Sequence, residues 1–192
     1  MTAGQPVNGR RPAVFLDRDG VIVQNRHDYV KSWAEVELLP GALTALQTLR
    51  ATPFAVVVVT NQSAVNRGLL PPATLDDIHQ RLQAIIEATG GQLDAIYVCP
   101  HRPNEGCDCR KPLPGMLLQA AAALELDLGR SFLVGDAITD LEAALAAGVQ
   151  PLLVRTGRGR DHEVLLDTQT HAICPVVDDL SAAVSWILAR AA

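Results

Sequence analysis

The chain has 192 residues, of which 48% are hydrophobic and only 4% aromatic, and its formal net charge is −5. This length supports one sizeable hydrophobic core, built mainly from Val, Leu, Ile and Ala. The acidic balance, with no basic tract, argues against nucleic acid as a partner. Without an apolar run of about 18 residues, no transmembrane helix is expected and no membrane partner is predicted.

The first twelve residues are polar and contain Gly, Pro and Arg, without the apolar stretch of a signal peptide. We therefore predict a flexible terminus over 1–12, one domain over 13–192, and a cytoplasmic protein that acts as a monomer. The chain has four cysteines, three of them close to a histidine within residues 99–109. In a reducing compartment this grouping favours a metal site over a disulfide framework.

Short apolar runs predict strands at 13–16, 54–59, 95–98, 132–134, 152–154 and 172–174. Between them, helical spacing predicts helices over 41–49, 74–88, 116–126 and 140–147, and a last helix from Asp179 or Ser181. The 54–59 run has four consecutive valines, which is typical of a parallel strand covered on both faces. The alternation predicts an α/β fold with a Rossmann-like, doubly wound parallel sheet and no large cap domain.

Polar residues follow three of the predicted strands, at the point where each strand ends. Because the carboxyl ends of parallel strands share one edge of the sheet, we expect these residues to converge there. They are Asp17 and Asp19, then Thr60 and Asn61, then Asp136 and Asp140.

The segment from Asp17 to Gly20 places two carboxylates two residues apart, so an extended backbone points both to one side. One carboxylate can attack phosphorus, and the other can protonate the leaving oxygen and then activate water. Mg²⁺ would offset the repulsion between these anions and a phosphate, with Asp136 as a further ligand. The alternative, in which the segment is only a turn, is less favoured because a buried strand precedes it and two other motifs accompany it.

Thr60 and Asn61 offer polar groups to phosphoryl oxygens, although such residues also occur in ordinary turns. Lys111 could hold the transferring phosphate and Arg110 another anionic group, or the two could be a solvated pair. Asp140 could act only at the first turn of a helix, or could orient the metal or Lys111.

The segment 99–109 has two pairs of potential ligands, each pair two residues apart, on either side of a short loop. Three thiolates and one imidazole match a closed, tetrahedral, structural Zn²⁺ site, with unmetallated cysteines as the alternative. The ligands would be Cys99, His101, Cys107 and Cys109. Cys174 is predicted to be a core residue. Most of the other histidines, which are His27, His79, His162 and His171, are predicted at the surface.

Together these motifs resemble the haloacid dehalogenase superfamily of aspartate-nucleophile phosphatases. The similarity runs from about residue 13 to 158, and its most specific part is the cysteine segment with the residues up to Gly115. Within the superfamily the pattern is similar to the branch of heptose bisphosphate and histidinol-phosphate phosphatases, which share the zinc loop. In the heptose enzymes a lysine usually follows the last motif's aspartate and a glycine often follows the Ser of the second motif. This chain has Ala137 and Ala64 at these positions.

The resemblance implies that Asp17 is the nucleophile and Asp19 the acid/base, with Thr60 and Lys111 stabilising the phosphoryl group. It implies Mg²⁺ on the Asp17 and Asp136 side chains and the Asp19 carbonyl, and substrate recognition by Arg110. The substrate-binding residues would also include the loop Arg26, His27, Asp28 and Tyr29, together with Asn61, Gln62 and Ser63.

The expected reaction is hydrolysis of the 7-phosphate of a heptose 1,7-bisphosphate in carbohydrate metabolism. Histidinol phosphate or another small phosphomonoester is the alternative substrate. A different class, a zinc-stabilised binding module without catalysis, would not need Asp17, Asp19, Lys111 and Asp136 all intact. A phosphatase acting on polynucleotide ends would need a basic groove and stacking aromatics, which the sequence does not display.

Overall fold

A computed structural model describes residues 9–191, and its centre is one six-stranded sheet. All strands pair in parallel, in the order β3-β2-β1-β4-β5-β6. The strands are β1 (Ala13–Leu16), β2 (Ala55–Asn61), β3 (Ala95–Cys99), β4 (Phe132–Gly135), β5 (Gln150–Val154) and β6 (Val176–Val177). The predicted α/β, doubly wound parallel sheet is therefore confirmed.

Helices connect the strands and cover both faces of the sheet. They are α1 (Ala42–Arg50), α2 (Pro72–Ala88), α3 (Gly115–Ala123), α4 (Ile138–Ala146), α5 (Gly159–Glu163), α6 (Thr168–Ile173) and α7 (Leu180–Ala191). Alternate residues of the central strands face opposite ways, so Val56 and Val58 belong to one core cluster and Val57 and Val59 to the other. The first cluster includes residues of α1, α2 and α7, and the second residues of α3 and α4.

Two elements of the structure differ from those predicted from the sequence. The strand predicted at 172–174 is wrong, because these residues finish helix α6 and lead into the two-residue strand β6. Asp167 starts α6 by accepting a hydrogen bond from the Thr170 backbone N–H at 2.7 Å. Helix α3 ends at Ala123 instead of 126, ahead of Glu125, whose φ of 53° leaves the helical region. Cys174 is buried in the core, as predicted.

The predicted flexible terminus over 1–12 lies partly outside the described residues, which begin at residue 9. Within the described part, Arg11 pairs with Asp94 at 2.7 Å and forms a bridge with Leu126, so this end of the segment is fixed to the domain. None of the helices in residues 9–191 is long and apolar enough to cross a membrane.

Candidate active site and zinc cluster

The carboxylate of Asp17 lies directly after β1 and forms the floor of a cavity of about 610 Å³. Its Oδ1 accepts a hydrogen bond from the Arg18 backbone N–H at 2.8 Å, and the Lys111 ammonium lies 3.0 Å from the same oxygen. Both contacts hold Oδ1, which leaves Oδ2 as the oxygen available to react. Thr60 at the end of β2 and Asp140 after β4 line the same cavity, so the expected convergence of strand ends occurs here.

Lys111 is an almost completely enclosed cation of the site, with a side chain only 2% exposed. Its ammonium lies 2.6 Å from Asp140 Oδ1 and donates to the Val59 carbonyl at 2.8 Å. Its backbone is held by Asn61, whose amide group donates to the Lys111 carbonyl and accepts from the Lys111 N–H. Burial by itself would lower the pKa of Lys111, but the two carboxylates raise it above its ordinary value, so the side chain stays cationic.

Asp140 combines both roles considered for it. Its Oδ2 accepts a hydrogen bond from the Ala137 N–H at 3.1 Å, at the start of α4, while its Oδ1 faces Lys111. Burial raises the pKa of Asp140 to about 6, against the opposing effect of Lys111. The residue thus joins the helix terminus to the cation of the active site.

Asp136 is fully buried at the end of β4, next to the loop that follows β5. Its Oδ2 accepts from the Arg158 backbone N–H at 2.9 Å, and the Arg158 guanidinium lies 3.1 Å from Oδ1. A β-carbon on Gly20 or Gly157 would collide with Oδ2, so both turns need glycine to pack against this carboxylate.

The carboxylates of Asp17, Asp136 and Asp140 offer oxygens within 4.8 Å of one another. Since Lys111 already neutralises Asp140, Asp17 and Asp136 are the pair best placed to hold a divalent cation. Two carboxylates beside an open cavity suit Mg²⁺, which usually binds one or two carboxylates and completes its shell with phosphate and water.

Two side chains, those of Arg18 and Gln62, donate hydrogen bonds to the carboxylate of Asp19. The Arg18 guanidinium bonds both of its oxygens, at 3.0 and 2.9 Å from Nη2, and the Gln62 amide donates to Oδ2 at 2.7 Å. The remaining Nη1 of Arg18 lies 3.0 Å from Nε2 of His79 on helix α2. Arg18 is 1% exposed and His79 8%, so this chain of contacts runs through the protein interior.

The second predicted motif lines the cavity wall. Gln62 also donates to the Thr60 hydroxyl at 2.8 Å, so Thr60 and Asp19 share one amide. Ser63 lines the same cavity, and Asn61 reaches it while holding Lys111. The structure thus brings all four residues to the site, with Gln62 and Asn61 turned largely toward protein partners.

The predicted substrate loop also lines the site. Arg26, His27 and Tyr29 line the main cavity, whereas Asp28 lines a smaller one beside it. Asp28 pairs with Lys31 at 2.8 Å and with Arg26 at 3.2 Å. The Lys31 hydrogen bond, with help from Arg26, lowers the pKa of Asp28 to about 2.

Four arginines line the main cavity. They are Arg26, Arg67, Arg110 and Arg158. Arg110 is tied to the zinc loop, because its Nη1 donates to the His101 carbonyl at 2.9 Å. The cavity is therefore cationic at its walls although the chain is acidic overall, which favours a substrate with more than one anionic group.

The four predicted zinc ligands cluster beside the active site. A tetrahedral Zn²⁺ with ligands at ordinary distances places their donor atoms about 3.5 to 3.8 Å apart. The observed separations are 3.7 Å between the sulfurs of Cys99 and Cys107, and 3.5 and 3.3 Å from His101 Nδ1 to the sulfurs of Cys99 and Cys109. The cluster is thus consistent with a Zn²⁺ site, and Cys109 leads directly into Arg110 and Lys111.

Sequence reasoning missed four residues: Arg18, Arg67, His79 and Arg158. Most of the remaining histidines were predicted at the surface: His27 and His171 are exposed, His162 is half-buried, and His79 is buried. His79 lies four residues after Leu75 and three before Leu82, on the apolar stripe of its helix, and that spacing was a usable signal. Arg158 follows a predicted strand, so the rule that located Asp136 also applied to it.

Comparison with known proteins supports the class of phosphatase that the sequence motifs indicate. The HAD-hydrolase-like family model matches residues 108–183. A D-glycero-beta-D-manno-heptose-1,7-bisphosphate 7-phosphatase from Pseudomonas putida is 44% identical over 169 residues, which are 88% of this chain and 95% of that protein. The protein of the same name from Bordetella bronchiseptica is 43% identical over 178 residues, 93% of this chain and 98% of that protein.

A crystal structure of D,D-heptose 1,7-bisphosphate phosphatase from B. bronchiseptica, complexed with magnesium and phosphate, superposes with a TM-score of 0.87 and 41% identity. The match covers 93% of this chain and 99% of that one. These features define a phosphoric monoester hydrolase of the haloacid dehalogenase-like type. The chain belongs to the family of D-glycero-β-D-manno-heptose-1,7-bisphosphate 7-phosphatases.

We expect Cys109→Ser to lose Zn²⁺ and to melt at a lower temperature, because the energy of metal binding contributes to folding. Activity should fall as well, since displacing Lys111 by about 1 Å can cost roughly 100-fold. Elemental analysis, thermal melting and phosphate release measure the three effects. Cys174→Ser is the matched control, because that thiol lies outside the cluster and should keep the zinc. Wild-type protein purified without chelator and found free of zinc would contradict the site.

Proposed function

We propose that this chain is a Mg²⁺-dependent phosphatase that removes the 7-phosphate of D-glycero-D-manno-heptose 1,7-bisphosphate through an aspartyl-phosphate on Asp17. The observation that carries the proposal is the pairing of Asp17 with the buried Lys111 at 3.0 Å on the floor of a cavity with cationic walls. A binding module without catalysis would have no use for a carboxylate held in this way.

In the first half of the reaction, an oxygen of Asp17 forms a bond to phosphorus while the bond from phosphorus to the sugar oxygen breaks. Asp19 gives its proton to that leaving oxygen. Lys111 and the Thr60 hydroxyl offset the charge that accumulates on the phosphoryl oxygens. Mg²⁺, held by Asp17, Asp136 and the Asp19 carbonyl, would supply positive charge and would orient the phosphate against the nucleophile.

In the second half, Asp19 takes a proton from a water molecule, whose oxygen bonds to phosphorus as the bond from phosphorus to Asp17 breaks. Inorganic phosphate leaves and Asp17 returns to its starting state. Lys111 remains paired with Asp140 throughout, so it keeps its charge when Asp17 is esterified.

The cavity walls favour a bisphosphate over histidinol phosphate. A second phosphate would meet guanidinium groups such as those of Arg110 and Arg67, whereas the cationic imidazole and amine of histidinol would be repelled by them. Asp28, the nearest acidic residue of the substrate loop, lines the smaller cavity and is already paired with Lys31.

We further propose that residues 13–192 act as one domain and as a monomer, in a cytoplasm whose reducing conditions keep the zinc-binding cysteines from forming disulfides. No nucleic-acid or membrane partner is proposed.

The substrate assignment is tested by measuring phosphate release from heptose 1,7-bisphosphate and histidinol phosphate side by side. We expect kcat/KM to be at least about 100-fold higher for the bisphosphate, in line with the charge-assisted contacts it alone can make. Arg110→Gln should narrow that ratio, mainly by raising KM for the bisphosphate. Equal or faster turnover of histidinol phosphate would reject the sugar assignment while leaving the chemistry intact.

Replacing Asp17 by Asn should abolish turnover without unfolding the protein, since an amide cannot form the phosphorylated intermediate. A loss of several orders of magnitude in kcat is expected. Asp19→Asn should also be nearly inactive, because the leaving oxygen would stay unprotonated. Circular dichroism confirms folding, and retention of more than about a tenth of the activity in Asp17→Asn would reject the nucleophile.

Arg158→Gln should bind Mg²⁺ several-fold more tightly than the wild type. The Arg158 guanidinium lies 3.1 Å from Oδ1 of Asp136, a carboxylate that we assign to the metal, so removing it removes a competing cation. Isothermal titration calorimetry with MgCl₂ measures the change. Arg160→Gln is the control, because Arg160 is exposed two residues further along. Weaker Mg²⁺ binding in Arg158→Gln would show that the arginine supports the metal site instead of competing with it.

A further inference from the structure

Arg18, the residue between the two proposed catalytic aspartates, has a guanidinium that is 1% exposed. Burying such a charge is costly unless all of its N–H groups find partners. Its Nε and Nη2 face Asp19, at 3.3 Å and 2.9–3.0 Å, and its Nη1 faces His79 at 3.0 Å. The orientation of the guanidinium plane is therefore set from both ends, by Asp19 at the active site and by His79 on α2.

We propose that His79 is a positioning residue that acts through Arg18 to fix the carboxylate of Asp19 for proton transfer. This inference rests on the proposed role of Asp19 as acid/base. It extends the active site to helix α2, which is linked to Asp19 through this guanidinium.

The protonation state of His79 suits this role. Burial, reinforced by the charge of Arg18, lowers the pKa of His79 to about 3, so the ring is neutral at physiological pH. Arg18 can only donate, and a neutral imidazole offers one accepting nitrogen. The short Nη1 to Nε2 contact therefore assigns the ring proton to Nδ1 and the accepting lone pair to Nε2.

Without that acceptor, Nη1 would be left unpaired in the interior, and the guanidinium would turn to find another partner. Asp19 would turn with it, because two of its hydrogen bonds come from the same planar group. Gln62 would remain attached to only one carboxylate oxygen at 2.7 Å, which does not fix the plane. The expected defect is a misplaced proton donor beside an otherwise complete site.

A misplaced proton donor has a recognisable signature. A sugar alkoxide is a poor leaving group and needs the proton, while p-nitrophenolate is stable without it. General acid catalysis contributes typically about 10²- to 10⁴-fold, so partial misplacement should cost about 10-fold or more on the sugar phosphate. The same change should cost no more than about 2-fold on p-nitrophenyl phosphate. A general loss of folding or of phosphate binding would lower both alike.

The test compares His79→Met with His79→Gln, which have similar shape but differ in whether the side chain can accept a hydrogen bond from Arg18. We measure kcat/KM for heptose bisphosphate and for p-nitrophenyl phosphate, since this parameter reports the first phosphoryl transfer. The expected result is a selective loss on the sugar phosphate in His79→Met and recovery to within a few-fold in His79→Gln. Leu82→Ala, which weakens the same helix without touching Arg18, should lower both activities in equal proportion.

Equal losses on both substrates in His79→Met, or no loss on either, would overturn the proposal. If His79→Met fails to fold, Arg18→Lys provides the second test, because it keeps a cation but loses the planar contact to Asp19. Arg18→Lys should be selective in the same direction, and an unselective loss would also overturn the proposal. Wild-type inactivity on the heptose bisphosphate would count against the proposed substrate alone, since any alkyl phosphate that the enzyme hydrolyses can replace it in the comparison.

Discussion

The fold depends on burying one ammonium group, that of Lys111, together with groups that compensate its charge. Taking an ammonium out of water costs several kcal/mol even after relaxation, and removing a partner leaves the charge uncompensated. Asp17 and Asp140 provide the compensation at 3.0 and 2.6 Å, and the Val59 carbonyl accepts a further hydrogen bond. These groups come from β1, β2 and the segment after β4, so the three strands must lie in register before the charges cancel.

The parts of this arrangement that could be predicted are those written locally in the sequence. Strands β1 and β2 are buried on both faces, which produces continuous apolar runs, and the polar residue after each run marks the edge of the sheet. Asp17 and Thr60 could be assigned to one site because parallel strands bring their carboxyl ends together. The zinc ligands were recognisable for a similar reason, since all of them fall within residues 99–109.

The parts that could not be predicted depend on pairing between side chains far apart in the chain. Nothing near His79 shows that its partner is Arg18, 61 positions earlier, because the contact follows from how α2 packs on the sheet. The prediction of the last strand of the sheet failed for another reason. The short apolar run ending at Cys174 is compatible with either a strand or a helix. The N-terminal cap formed by Asp167 stabilises the helix.

The same pairing of cations with protein partners explains how a chain of net charge −5 can receive a polyanion. Arg26 is held by Asp28, Arg110 by the His101 carbonyl, and Arg158 by Asp136, so three of the four cavity arginines have protein partners. This pairing weakens long-range attraction, and we expect recognition to rest on short-range exchange of these partners for phosphate oxygens. By contrast, Lys111 at the centre is too enclosed to exchange its partners. The position of the transferring phosphate is therefore set by the fold, while the grip on the rest of the substrate depends on side chains that can change partners.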